Sequence, residues 1–375
     1  MGKNGKRIIT ILLASCLIAV ALPRTVDLDQ LYAASGTTDI STTAELRKTL
    51  LTAMSQRTEE LVFTYKGNVK GLKKQLQSSI DEAMKSDPYI QYTVKSYAFN
   101  YKGSNVSAEV HITLSYRETK AQTDYVNRKV ASVLKEIIVP GMSNHEKVKV
   151  IHDWIVLNLA YDTSLKKYTA YDGLVTGSTV CQGYSLLAYR MLEQVGIENR
   201  IVEGTAGDQL HAWNLVKLDG KWYHMDTTWD DPTPDRKGKV SYNYYLLSDA
   251  EMARDHFWTN NGKYPAASTL YREVLHGLIT EGGSKTDAYQ KIYHTLDYSL
   301  YNESDAIREH AALKEKVQTV MKDGGTSLTF RYKGTEQGLV QDLQDLYQLG
   351  MKSISYYVSN MADTTDLRVK ITWTL

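Results

Sequence analysis

A chain of 375 residues, 42% hydrophobic and 23% charged, has a globular composition and enough length for two or three domains with buried cores. Its 44 basic and 43 acidic residues nearly cancel, which leaves no electrostatic footprint for a nucleic-acid partner. Tyrosine is abundant, 27 against 4 phenylalanines, and suits aromatic surfaces that are half buried and half wet.

Residues 1–34 read as an export signal. Lys3, Lys6 and Arg7 give a basic start, Ile8 to Leu22 is an apolar run shorter than a membrane span, and Ala33 and Ala34 offer small residues for cleavage. Leu13-Ala14-Ser15-Cys16 resembles a lipobox, which gives a second reading with Cys16 lipidated, and an uncleaved anchor is a third. All three place the body of the protein outside the cytoplasm, extracellular or at the cell surface. Of the two cysteines in the chain, only Cys181 remains once a signal is removed. An exported protein with one unpaired thiol needs an explanation, and the plainest is a buried packing residue.

The next elements follow from periodicity. Ile40 to Leu61 is helical in spacing, Leu61 to Tyr65 is a strand and Leu72 to Met84 a second helix. Tyr89 to Tyr101 and Val106 to Tyr116 alternate and pair as strands. The unit recurs near the other end. Phe63-Thr64-Tyr65-Lys66-Gly67 with Gly71-Leu72 matches Phe330-Arg331-Tyr332-Lys333-Gly334 with Gly338-Leu339 at identical spacing. A helix (Leu339 to Leu349) and two strands (Ile354 to Val358, Leu367 to Trp373) follow. The chain thus divides into a signal (1–34), a β-α-β-β module (35–120), a core (121–265), a helical connector (266–326) and a second β-α-β-β module (327–375). The modules are either spacers or binders of a ligand or the cell wall.

In the core, Asp124 to Ile138 is an amphipathic helix. Ser143 to Glu146 is a capping box that starts a helix carrying Val148, Ile151 and Ile155. Thr169 to Thr179 reads as a loop leading to Cys181, and Gln182 to Gln194 as a helix stopped by Gly196. Arg200 to Glu203 is a short strand. Ala212 to Leu218 and Trp222 to Thr227 form a hairpin turning at Asp219-Gly220. If those two residues are the turn, Leu218 faces Lys221 and Trp213 faces Asp226. His211 and Asp226 then share one face as diagonal neighbours, and a slip of one residue would separate them. Tyr242 to Leu247 reads as a further strand, Leu270 to Ile279 and Asp305 to Met321 as helices.

This register brings an imidazole and a carboxylate onto one face, and Cys181, 30 residues before His211, opens a helix. A thiol attacks as thiolate, and a helix N-terminus and a neighbouring histidine both favour that form. His211 would take the proton from Cys181, and Asp226 would orient the imidazole. The oxyanion donors would be the Cys181 amide and a side chain from Tyr161, Trp154 or Gln182, with Tyr161 ranked first. Trp213 and Trp229 read as core or cleft walls. His224 and His152 read as structural, and Asp230, Asp231 and Asp235 as a solvated loop. No metalloenzyme spacing is present, so neither a metal nor another cofactor is expected.

Val180-Cys181-Gln182-Gly183-Tyr184, His211-Ala212-Trp213-Asn214 and Asp226-Thr227-Thr228-Trp229, with Lys149 to Ile155 and Tyr161-Asp162 upstream, resemble the bacterial transglutaminase-like superfamily over residues 125–250. The resemblance implies an α+β, papain-like core, with the cysteine on a helix packed against an antiparallel sheet that bears the histidine and aspartate. It maps Cys181, His211 and Asp226 onto the family's triad. The activity implied is acyl transfer to an amine, or hydrolysis, on the amide bonds of a protein or peptide substrate. The competing reading is a non-catalytic surface-binding or assembly protein with a vestigial site between two adhesive modules.

Overall fold

The computed structural model describes residues 38–233, 238–361 and 364–375, so the signal-like segment, Cys16 and Asp235 lie outside the described residues. The fold is mixed α+β, in two compact units that divide after Thr269. Among the described residues no helix is long and apolar enough to cross a membrane.

The first unit begins with β1 (Thr38–Ile40), α1 (Thr43–Gln56), β2 (Glu60–Lys66), α2 (Leu72–Lys85), α3 (Pro88–Thr93), β3 (Val94–Gly103) and β4 (Ser107–Tyr116). The strands form a sheet in the order β1-β2-β4-β3. Leu46, Leu50, Phe63, Leu72, Leu76 and Ile80 meet in the core between this sheet and its helices. The strand expected from Tyr89 starts later, at Val94. Asp87 accepts hydrogen bonds from the Tyr89 and Ile90 amides, and Pro88 occupies the first helical position, so the chain makes α3 first.

The core of this unit follows as α4 (Lys120–Ile137), α5 (Asn144–Asn158), β5 (Ala160–Tyr161), α6 (Ala170–Thr176), β6 (Ser178–Thr179), α7 (Cys181–Gln194), β7 (Asn199–Ala206), β8 (Gln209–Leu218), β9 (Lys221–Met225), α8 (Asp249–Met252) and β10 (His256–Phe257). The expected loop before Cys181 contains α6. Its box uses Asp172 at the third position, where the sequence signature expects Glu or Gln. Tyr242 to Leu247 is not a strand. Leu246 takes a left-handed φ of 53°, which breaks extended backbone, and only His224 and Leu247 form a bridge.

The sheet order is β10-β7-β8-β9. Asp219 and Gly220 both have positive φ, 48° and 78°, as a two-residue type I′ turn requires. Leu218 pairs with Lys221 and Asn214 with Met225, the register expected from the turn. Helix α7 lies against β7 and β8 and is also packed by α3, α4, α5 and α6. Every side chain from Cys181 to Ala188 is buried. That enclosure explains why the helix shows little polar face in sequence.

The second unit contains α9 (Tyr271–Glu281), α10 (Thr286–Thr295), α11 (His310–Lys322), β11 (Ser327–Tyr332), α12 (Glu336–Asp345), β12 (Ser353–Asn360) and β13 (Leu367–Thr374), with sheet order β11-β13-β12. The repeat extends further than the shared motif. Ile40, Leu46, Leu50, Phe63, Tyr65, Leu72 and Leu76 are matched at constant spacing by Ile307, Leu313, Val317, Phe330, Tyr332, Leu339 and Leu343. Ile40 runs parallel to Tyr65, and Ile307 bridges Tyr332 in the same sense. Tyr65 donates to Gln75, and Tyr332 to Asp342 at the matching position. Helix α11 therefore shares the core of the second sheet instead of acting as a free connector.

Gly183 shows how tightly α7 is seated. A Cβ there would lie 1.9 Å from Thr179 Oγ1 and 2.8 Å from the Thr169 carbonyl oxygen. Thr179 Oγ1 is itself tied to the Lys167 and Thr169 carbonyls and has little room to yield. Gly183→Ala should destabilise the first unit by about 1–3 kcal/mol through overpacking, despite alanine's better helix propensity. A urea titration that shows an unchanged or higher midpoint for its transition would contradict this.

Candidate active site

Cys181 is the first residue of α7, and Val180 precedes it with no side chain capping the first amides. The capping boxes of α1, α4, α5 and α6 have no counterpart here. The positive end of the helix is thus left facing the thiol. The parallel bridge of β5 to β6 sets Tyr161 beside Thr179, two residues before Cys181. Ser185, one turn into α7, donates to both the Cys181 and Ala212 carbonyls at 2.9 and 2.8 Å. Asn214 Nδ2 donates to the Ser185 carbonyl at 3.1 Å. These bonds hold the start of α7 against β8, the strand that carries His211.

His211 Nε2 lies 2.6 Å from Asp226 Oδ2, and the imidazole also hydrogen-bonds the Cys181 thiol. With Nε2 taken by the carboxylate, Nδ1 is the nitrogen left for sulfur. Asp226 sits just past β9, where the chain bends back on its side chain. Its Oδ1 accepts from the Thr228 and Trp229 amides at 2.9 and 3.2 Å. All three residues are buried, Cys181 at 4%, His211 at 7% and Asp226 at 1% exposure, so their mutual interactions escape solvent screening. Burial disfavours the His211 imidazolium, but the Asp226 carboxylate and the thiol outweigh it and hold His211 above its ordinary range. Burial likewise opposes charge on Asp226, yet His211 and a second histidine, His256, hold its carboxyl well below the usual range.

Two clefts meet at His211. One, of about 670 Å³, is lined by Tyr161, Gly207, Leu210, Trp229 and Pro232. The other, of about 770 Å³, is lined by Tyr92, Glu203, Phe257, Trp258, Lys263 and Tyr264. Tyr161 opens on the first. Burial, then the neighbouring Cys181, pushes its hydroxyl up to about 12, so it stays protonated and able to donate. Trp229, 37% exposed, is a wall of the same cleft. Trp213 is buried behind His211, stacked at 5.9 Å, and belongs to the core. Gln182 lines neither cleft. Its Nε2 donates to the Tyr92 carbonyl at 3.2 Å and tethers α3 to α7. Trp154 lines neither cleft as well.

His224 and His152 are both enclosed. His224 Nδ1 accepts from Trp213 Nε1 and its Nε2 donates to Asp249, each at 2.8 Å. His152 lies between Asp153 at 3.1 Å and Asp230 at 3.0 Å. The expectation of a solvated loop at Asp230 and Asp231 fails. Both are buried, and Asp231 accepts from Tyr184 at 2.5 Å. The sequence gives no warning, because acidic residues after a turn default to solvent and the partners lie on α5 and α7.

The sequence reading also missed Tyr92 and His256. Tyr92 comes from the first module and hydrogen-bonds Glu203 within the second cleft. His256 contacts Asp226 Oδ2 at 3.0 Å from a two-residue strand with no periodicity of its own. Among the described residues, His211, Asp226 and His256 are the one trio whose donor atoms cluster, within 4.8 Å. Their spacings of 2.6 and 3.0 Å are those of hydrogen bonds with a proton between.

Residues 131–227 match the family described as the transglutaminase-like superfamily. The chain is 30% identical over 158 residues to kyphoscoliosis peptidase of Mus musculus, which covers 36% of this chain and 23% of that protein. It is 28% identical over 151 residues to the Homo sapiens protein of the same name, again 23% of its length. The chain thus spans under a quarter of these relatives. Among solved structures it is similar to a TGase, with 14% identity and a TM-score of 0.27 over 56% of this chain and 63% of that one. A candidate cysteine protease from Cytophaga hutchinsonii gives 14% identity and a TM-score of 0.26 over 36% and 63%. Neither superposition is close enough to speak to function.

The buried pair has a pH signature. Asp226, held low, contributes stability above its unfolded value near 3.8, and loses it as pH falls through its depressed folded value. His211, held high, contributes fully below its unfolded value near 6.5, and loses this as pH rises through its raised folded value. Between the two unfolded values, 3.8 and 6.5, both contributions are complete. Asp226→Asn should therefore cost about 3–5 kcal/mol within that window and less in alkali. Urea unfolding of both proteins at about pH 5.5 and about pH 9.5 tests this, and a cost that grows toward alkali would refute it.

Proposed function

We propose that the chain, whose residues 131–227 match the transglutaminase-like superfamily, is an exported thiol enzyme that opens amide bonds through a thioester on Cys181. The observation that carries the reading is His211, hydrogen-bonded to the Cys181 thiol on one side and to the buried Asp226 carboxylate on the other. His211 takes the thiol proton, and the sulfur attacks the amide carbonyl. The oxyanion forms beside the Cys181 amide, with Tyr161 as the second donor. Collapse breaks the C–N bond, and the leaving amine takes the proton from His211. The resulting thioester is then opened by water or by a second amine, whose proton returns through His211 to free the thiol.

Two clefts meeting at His211 suit a substrate that extends on both sides of the reacting carbonyl, as a protein or peptide does. The similar mouse and human proteins carry the name peptidase, which favours water as the acceptor. Residues 1–34 support export, and the flanking modules could bring the enzyme to a cell-wall substrate.

Cys181→Ala and His211→Ala should abolish turnover of a glutamine-containing protein or peptide substrate, and Tyr161→Phe should lower kcat by about 10²-fold. Ammonia release, peptide cleavage and incorporation of a labelled primary amine, measured in parallel, separate hydrolysis from transfer. The opposing result is a Cys181 that iodoacetamide alkylates only in the alkaline range of a free thiol, unchanged by His211→Ala. That outcome would favour the non-catalytic surface protein.

A further inference from the structure

His256 lies beyond the triad. It comes from β10, at the edge of the sheet, and is fully buried. Its Nε2 is 3.0 Å from Asp226 Oδ2, the same oxygen that meets His211. Its Nδ1 is 2.7 Å from Asp255 Oδ1, and Asp255 Oδ2 in turn accepts from the Tyr244 hydroxyl at 2.7 Å. Ionised carboxylates accept hydrogen bonds and cannot donate them. Each ring nitrogen of His256 thus faces a carboxylate oxygen, the arrangement that an imidazolium, with a hydrogen on both nitrogens, satisfies on both sides.

The groups around it agree. From β8 come His211 and the Trp213 ring, edge-on at 5.1 Å; from the chain after β9 come Asp226 and the Trp229 ring at 4.7 Å. Tyr244 packs at 5.1 Å. His224, on β9, is neutral because its Nδ1 accepts the Trp213 indole hydrogen. Burial, aided by the charge on His256, holds it below its ordinary range against the pull of Asp249. The charges facing His256 are thus Asp226, Asp255 and the imidazolium form of His211.

We propose that His256 is a positioning residue that shares the negative charge of Asp226 with His211 and so sets the pH range in which the Cys181–His211 pair works. The inference rests on the proposed chemistry of Cys181. With His256 in place, Asp226 is divided between two imidazoles and supports His211 less than an undivided carboxylate would. The extra cation also favours a thiolate at Cys181. Loss of the His256 charge acts on both, and in the same direction: His211 keeps its proton to higher pH, and the thiol releases its proton at higher pH.

The test is the rate of Cys181 alkylation by iodoacetamide across pH, in the full chain. His256→Gln keeps a donor toward Asp226 and removes the charge. Its profile should move to higher pH by about one unit relative to wild type. A profile that keeps its position, with only its height changed, makes His256 purely structural and overturns the assignment. Asp255→Asn leaves the histidine in place and offers Nδ1 an amide hydrogen, so the ring can be neutral. It should move the profile in the same direction by less, and it decides the question if His256→Gln does not fold; an unmoved profile in Asp255→Asn then overturns the assignment. A wild type that alkylates as an ordinary free thiol would defeat the Cys181 reading itself, whereas a normal wild type with unmoved variants defeats only the role of His256.

Discussion

A carboxylate buried at 1% exposure is the constraint that most of the central domain answers to. An isolated charge of this kind would cost several kcal/mol or more, and it persists only when its lone pairs are filled and a counter-charge is near. Asp226 has both. Two backbone amides fill Oδ1, and two imidazoles share Oδ2. Each donor fixes a different part of the fold. The amides of Thr228 and Trp229 require the tight bend after β9. His211 requires the β8–β9 register. His256 requires β10 to pair with β7, and Gly204 makes room for that strand, since a Cβ there would lie 2.2 Å from the Phe257 carbonyl oxygen.

The same economy applies to the thiol. Helix α7 is packed on nearly every side, so its first turn cannot drift. Gly183 presses against Thr179, and Ser185 spans from its own helix to β8. Several motif residues that look catalytic by position are thus architectural. Gln182 follows the cysteine and holds α3. Asn214 follows the histidine by three and holds Ser185. Tyr184 reaches Asp231, and so ties the same helix to the chain beyond Asp226. His211, Tyr161 and Trp229 line the clefts, and Cys181 lies buried behind His211, to which it is hydrogen-bonded.

The parts legible in the sequence are those written locally. Asp219-Gly220 names its own turn type, and the turn alone carries His211 and Asp226 to one face. The capping box at Ser143 and the repeated Phe-x-Tyr-Lys-Gly are legible for the same reason. What was not legible depends on pairs far apart in the chain. His256 contributes through a strand too short to show alternation. Asp230 is neutralised by His152, which lies on α5. The helix over Asp305 to Met321 precedes the second module as residues 44–58 precede the first, but that Leu313 and Val317 share the core with Phe330 shows only in the structure. Propensity cannot report such pairings, since each residue in isolation fits a loop or a surface equally well.

The two modules differ beside the cleft. Their helices and sheets correspond, and their core residues fall at constant spacing. Between the second helix and the hairpin, however, the first copy inserts α3, while the second passes from Leu349 through Gly350 to β12 within a few residues. That insertion is the segment tethered to Gln182, and Tyr92 within it lines the cleft opposite Tyr161. The first module is thus part of the wall of the cleft beside His211. The second copy has the same scaffold without that element, so whatever it contributes must come from another surface.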